Sequence, residues 1–186
     1  MVKRVIYIHG FNSSEKSYKA VRFGEYMANY NVEYCVPRLS HEPLHAIIQL
    51  EQLLTPNSVL IGSSLGGFYA TYLSQRYQLP AVLINPAVKP FLLLSSFLGS
   101  NYNPYQDTHY ELNKSHINAL KALFIAPLKQ PSLLYLLQQT GDEVLGFEPA
   151  VKYYSQCKQH IEFGGDHSFK HFESTFESIV DFLKIT

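Results

Sequence analysis

A chain of 186 residues with 46% hydrophobic side chains has apolar material for one core, and its 15 basic and 15 acidic residues cancel to a net charge of zero. That balance supplies no basic field for a nucleic acid. No apolar run approaches the ~18 residues of a membrane span, and the start MVKRVIYIHG is too short in apolar residues for a signal peptide; a soluble, cytoplasmic protein with no membrane span is expected.

In chain order, strand-like runs fall at Arg4–Ile8, Val32–Val36, Ser58–Ile61, Ala81–Ile84, Leu133–Gln138 and His160–Phe163. Several are continuously apolar, as strands buried on both faces should be. Helical patterns lie between and after them, at about Tyr18–Asn29, Leu44–Leu54, Leu65–Arg76, Pro149–Gln156 and Phe172–Lys184. The last carries Phe172, Phe176, Ile179, Val180 and Leu183 as one apolar stripe. Such alternation predicts an α/β domain with about six mostly parallel strands, doubly wound. Cys35 and Cys157 follow neither a C-x-x-C pattern nor a metal-ligand spacing, so two free thiols are expected.

One segment breaks the rhythm. About residues 89–122 read KPFLLLSSFLGSNYNPYQDTHYELNKSHINALKA, too long for an ordinary crossover and too aromatic for disorder. It is read as a cap-like insertion over one end of the sheet. Phe91 and Phe97 are its candidate substrate-binding residues, and its composition suggests an apolar acyl group.

Gly62-Ser63-Ser64-Leu65-Gly66 is a G-x-S-x-G pattern between a strand and a helix. That pattern makes a tight turn that lifts one side chain above the sheet, and the residues two before and two after must be small. Ser63 has Ile61 and Leu65 at those places; Ser64 has Gly62 and Gly66. Ser64 is therefore the candidate nucleophile. A serine needs a base, and the base needs an acid to orient it. Asp142, in QQTGDEV, and His167, in GGDHSF, each follow a later strand in the expected order. Glu143 is the competing acid. For the oxyanion, the Leu65 backbone N–H supplies one donor. A sheet order of 2-1-3-4-5-6 brings His9-Gly10-Phe11 beside Ser64, making Phe11 N–H the second donor, with Gly10 permitting close approach of substrate.

With HGFNSS, GSSLGG, NPAVKP, QQTGDEV and GGDHSF together, the chain resembles the α/β-hydrolases, and more narrowly the small bacterial esterases of the YqiA type. The resemblance implies a reduced α/β-hydrolase fold, a Ser64–Asp142–His167 triad, and hydrolysis of carboxylic esters, including acyl-CoA thioesters, with neither metal nor cofactor. Two other readings keep the same residues: a serine peptidase or amidase, and a non-catalytic binder of a small apolar ligand. A phosphate-binding turn at Gly62–Gly67 would lack the lysine of a P-loop.

Overall fold

The computed structural model describes residues 2–186 of the chain. Six strands form one parallel sheet: β1 (Lys3–Ile8), β2 (Val32–Cys35), β3 (Ser58–Ser63), β4 (Ala81–Ile84), β7 (Leu134–Gln139) and β8 (Lys158–Glu162). Their order is β2-β1-β3-β4-β7-β8. The two missing numbers, β5 (Gly99–Asn103) and β6 (Thr108–Leu112), pair with each other as an antiparallel hairpin outside that sheet.

Strand alternation sends residues to two cores. Ile6, Ile8, Leu60, Leu83, Leu134 and Leu136 pack on one face, against α2 (Pro43–Leu53), α3 (Leu65–Tyr77), α5 (Lys114–Leu123) and α6 (Glu148–Tyr153). Val5, Tyr7, Val59, Ile61, Val82 and Ile84 pack on the other, against α1 (Tyr18–Met27) and α7 (Phe176–Leu183). Both sides of each central strand are therefore covered, which is why these strands read as unbroken apolar runs. The chain leaves neighbouring β1 and β3 toward opposite faces, into α1 and α3, and so opens a crevice at their C-terminal ends.

Several boundaries differ from the sequence expectation. The expected strand ending at Phe163 stops at Glu162, and Phe163 is 97% exposed. It follows the edge strand, where nothing covers it. The expected single helix from Phe172 divides into a 3-10 turn, Phe172–Thr175, and α7. All five stripe residues are nevertheless buried, because the turn keeps Phe172 on the helix's inner face.

The 89–122 insertion comprises α4 (Pro90–Leu93), a 3-10 turn to Phe97, the hairpin, and most of α5. The hairpin docks on the loop after β1. Asn103 Nδ2 and Gln106 Nε2 both donate to the Ser13 carbonyl, at 3.0 and 3.1 Å, and the Tyr110 hydroxyl donates to Asn12 Oδ1 at 2.6 Å. No helix among the described residues is long and apolar enough to cross a membrane.

Candidate active site

Between the end of β3 and the start of α3 only Ser64 makes the turn, with φ +55° and ψ −121°. That is a costly conformation for a residue with a Cβ. Its flanking glycines are sterically required: a Cβ on Gly62 would lie 2.3 Å from the Gly66 carbonyl oxygen, and one on Gly66 would lie 2.0 Å from that of Ile8. The turn is tied down by Ser64 N–H donating to Ile84 O at 3.1 Å. The Ser64 carbonyl in turn accepts from Gly67 and Ala87, both at 3.0 Å. Ser63 stays within β3 and is buried.

His167 Nε2 lies 3.1 Å from Ser64 Oγ, and its Nδ1 lies 3.0 and 2.9 Å from the two Asp142 carboxylate oxygens. An ionised carboxylate only accepts, so Nδ1 carries the proton and Nε2 turns its lone pair to the serine hydroxyl. The Asp142 side chain is fully buried, which by itself would raise its pKa. Hydrogen bonds from His167 and from the Leu145 and Val144 N–H groups outweigh that burial and hold the carboxyl below its usual range. Glu143, the rival acid, instead accepts the His167 backbone N–H at 3.0 Å.

The loop after β1 approaches the serine closely. A Cβ on Gly10 would come within 3.1 Å of Ser64 Cβ. His9 is buried and pins this loop: its Nδ1 faces the Gly10 carbonyl at 3.0 Å, and its Nε2 accepts from Leu39 N–H at 3.4 Å. Burial lowers its pKa, which favours the neutral ring these bonds need. Neither the Phe11 nor the Leu65 N–H has a hydrogen-bond acceptor among the described residues.

Two cavities share the wall formed by His9–Asn12. A cleft of about 820 Å³ contains Ser64, His167 and Glu143, with Lys19 and Tyr105 at its sides. A second cavity of about 360 Å³ contains Leu65 and Tyr69. Gly10 and Phe11 border both. Phe97 packs edge-on against Phe11, centroids 5.8 Å apart, and stays half exposed. Phe91 departs from expectation. It is buried in the core against Phe124 and lines neither cavity, because α4 turns its first apolar residue inward.

Two residues outside the sequence-predicted triad position the His167 loop. Asn85, fully buried just after β4, accepts the Gln139 N–H at 2.9 Å and donates to the Asp166 and His167 carbonyls at 2.9 and 3.2 Å. The Gln139 side chain accepts from the Asp166 and Lys170 N–H groups at 3.1 and 2.9 Å and donates to the Lys170 carbonyl. The loop presenting His167 is thus held from below by two buried amides. The signal available was a polar residue at the end of each apolar strand.

For a metal, His41, Glu42 and His116 bring ligand-capable atoms within 4.8 Å of one another. However, His116 Nδ1 accepts the Asn113 N–H in the capping box of α5, at 3.3 Å. A neutral ring with that nitrogen occupied has no second lone pair, so the trio fits a metal only if the cap is broken.

Solved structures resemble the chain along nearly its whole length. The mouse α/β-hydrolase domain-containing protein 10 superposes with a TM-score of 0.77 at 15% identity, covering 97% of this chain and 89% of its own. Est1E from Butyrivibrio proteoclasticus with ferulic acid bound gives 0.71 at 14% identity, covering 98% and 88%. The esterase domain of a Rhodothermus marinus protein gives 0.66 at 17%, covering 98% and 87%. At these identities the likeness shows the fold, that of the α/β-hydrolases. A family model matches residues 4–184, and the chain belongs to that family, the uncharacterised protein family UPF0227.

Proposed function

We propose that this chain is a serine hydrolase of carboxylic esters, and of the corresponding thioesters, working through an acyl-enzyme. The observation that carries the reading is the continuous hydrogen-bond path Ser64–His167–Asp142 beside two backbone N–H groups that have no acceptor among the described residues. In this reading His167 Nε2 takes the hydroxyl proton as Ser64 Oγ bonds to the substrate carbonyl carbon. The negative charge then on the carbonyl oxygen is held by the Phe11 and Leu65 N–H groups. Collapse breaks the C–O or C–S bond, and His167 returns the proton to the leaving alcohol or thiol. Water, deprotonated by His167, then attacks the acyl carbon and releases the acid and free Ser64. Buried Asp142 remains ionised throughout and stabilises the imidazolium.

The insertion is proposed as a cap. Its hairpin holds the oxyanion loop through Asn12 and Ser13, while half-exposed Phe97 offers an apolar surface beside Phe11 for part of an acyl group.

A fluorophosphonate probe tests the reading. Wild type should become covalently labelled at Ser64, and Ser64→Ala should not. Equal labelling of both proteins, or of neither, overturns it. A panel of matched esters, thioesters and amides then separates an esterase from an amidase by relative kcat/KM.

A further inference from the structure

The smaller cavity lies on the α3 side of the oxyanion loop and carries an unbalanced charge. Arg38, Gln49, Leu65, Tyr69 and Tyr110 are among its walls, and no aspartate or glutamate lines it. Arg38 is held by the hairpin, donating through Nε to Gln106 Oε1 at 3.3 Å and through Nη2 to the Gln106 carbonyl at 2.9 Å. Both partners are neutral, and Arg38 makes no ion pair among the described residues. Arg38 is exposed and its charge is solvated, while the two bonds to Gln106 orient the planar guanidinium on the cavity wall.

A second observation is independent of the first. Tyr69, only 3% exposed as a residue, lines the cavity, and its hydroxyl bonds no other described residue. It stands one helical turn after Leu65, on the same face of α3. Burial also raises its pKa, so the group is present as an O–H donor. The Gln49 carboxamide is committed only through its oxygen, which accepts from Ser40 N–H at 2.9 Å, leaving its N–H groups available. Arg38, Tyr69 and Gln49 thus offer donors on a wall that also carries Phe11, Leu39 and Leu65.

We propose that this cavity binds an anionic group, a carboxylate or a phosphate, carried by one arm of the ester. The inference rests on the hydrolase reading above for the word ester, while the anion site itself does not. A substrate whose carbonyl meets the Leu65 and Phe11 N–H groups then reaches the cavity past Leu65, and Arg38 and Tyr69 close on its terminal anion.

The test uses Ser64→Ala protein titrated by calorimetry with glutarate, with inorganic phosphate and with neutral glutaramide. One of the two anions should bind and glutaramide should not, and adding Arg38→Gln should weaken binding at least about ten-fold, the scale of one lost charge-assisted hydrogen bond. Which anion binds identifies the group. Tyr69→Phe should weaken it in the same direction and serves as the readout if the Arg38 variant does not fold. In wild type the bound anion should inhibit hydrolysis of p-nitrophenyl butyrate competitively. Absence of binding, or binding indifferent to both substitutions, overturns the site; non-competitive inhibition overturns its role as a substrate pocket. Anion binding in a protein that hydrolyses no ester would remove the hydrolase reading and leave the anion site standing.

Discussion

The side chain of Gln139 fills the space that a Cβ on Gly165 would occupy: such an atom would lie 1.9 Å from Gln139 Oε1. Gly165 also has φ +73°, a region that residues with a Cβ enter only at a cost. The two residues therefore determine together where the loop bearing His167 can run.

Gly165→Ala should destabilise the protein by about 1–3 kcal/mol from backbone strain alone, with a further loss from displacing Gln139. Urea unfolding measures the sum. In a Gln139→Ala background the same substitution should cost less, since the clash is gone and only the strain remains. Equal cost in both backgrounds would show that the two residues are not coupled.

Ser64→Ala should lower kcat by about 10⁶-fold, the scale measured when a triad serine is removed in subtilisin. Ser63→Ala should retain most activity, because Ser63 belongs to β3 and His167 is bonded to its neighbour. Steady-state hydrolysis of a p-nitrophenyl ester distinguishes the two. Greater loss at Ser63 would reassign the nucleophile.

Asp142→Asn should lower kcat by about 10⁴-fold, the scale known for the corresponding change in a serine protease. Its stability effect has a definite sign. The folded carboxyl titrates below its ordinary value, so its contribution is complete above about pH 4 and is lost as pH falls through the folded pKa. The wild-type advantage over Asp142→Asn in unfolding free energy should therefore shrink as pH falls below about 4. Glu143→Gln should have a much smaller effect on kcat, since Glu143 bonds the His167 backbone and not its ring.

Lys19 donates to the Ser168 carbonyl at 2.7 Å on the wall of the cleft, and burial lowers its pKa to about 8. Above that value the folded protein releases a proton that the unfolded chain, near 10.4, still holds. Stability from this group therefore rises with pH between about 8 and 10. Any stability gain of Lys19→Met over wild type should diminish across pH 7.5 to 9.5 in thermal unfolding. A constant difference would contradict the lowered pKa.

Asn85→Ala removes three hydrogen bonds, one to Gln139 and two to the loop at Asp166 and His167. Beyond a stability loss of several times about 1 kcal/mol, kcat should fall with little change in KM, because the residue positions His167 and does not line either cavity. A change in KM alone would assign it a different role.

The alternation of apolar runs with amphipathic stripes pointed to six mostly parallel strands, because a strand buried on both faces needs no partner to be recognised, whereas their order in the sheet is a matter of pairing. The two glycines flanking Ser64 identified that residue in advance, since the steric demand of the turn is local. Side-chain direction is not local. Phe91 looked like a substrate contact until α4 turned it into the core. The 99–112 hairpin was hidden inside an aromatic stretch, as β5 and β6 cover no continuous core of their own and are defined by pairing with each other.

The fold class and the turn position of Ser64 follow from periodicity and local sterics, which a short stretch of chain carries within itself. Long-range packing brings Asp142, and not its neighbour, to the imidazole, sets Asn85 and Gln139 under the His167 loop, and places Arg38 on a cavity wall with no ion pair among the described residues. Each of these depends on side chains from distant strands meeting at one sheet edge, a relation that no window of sequence contains.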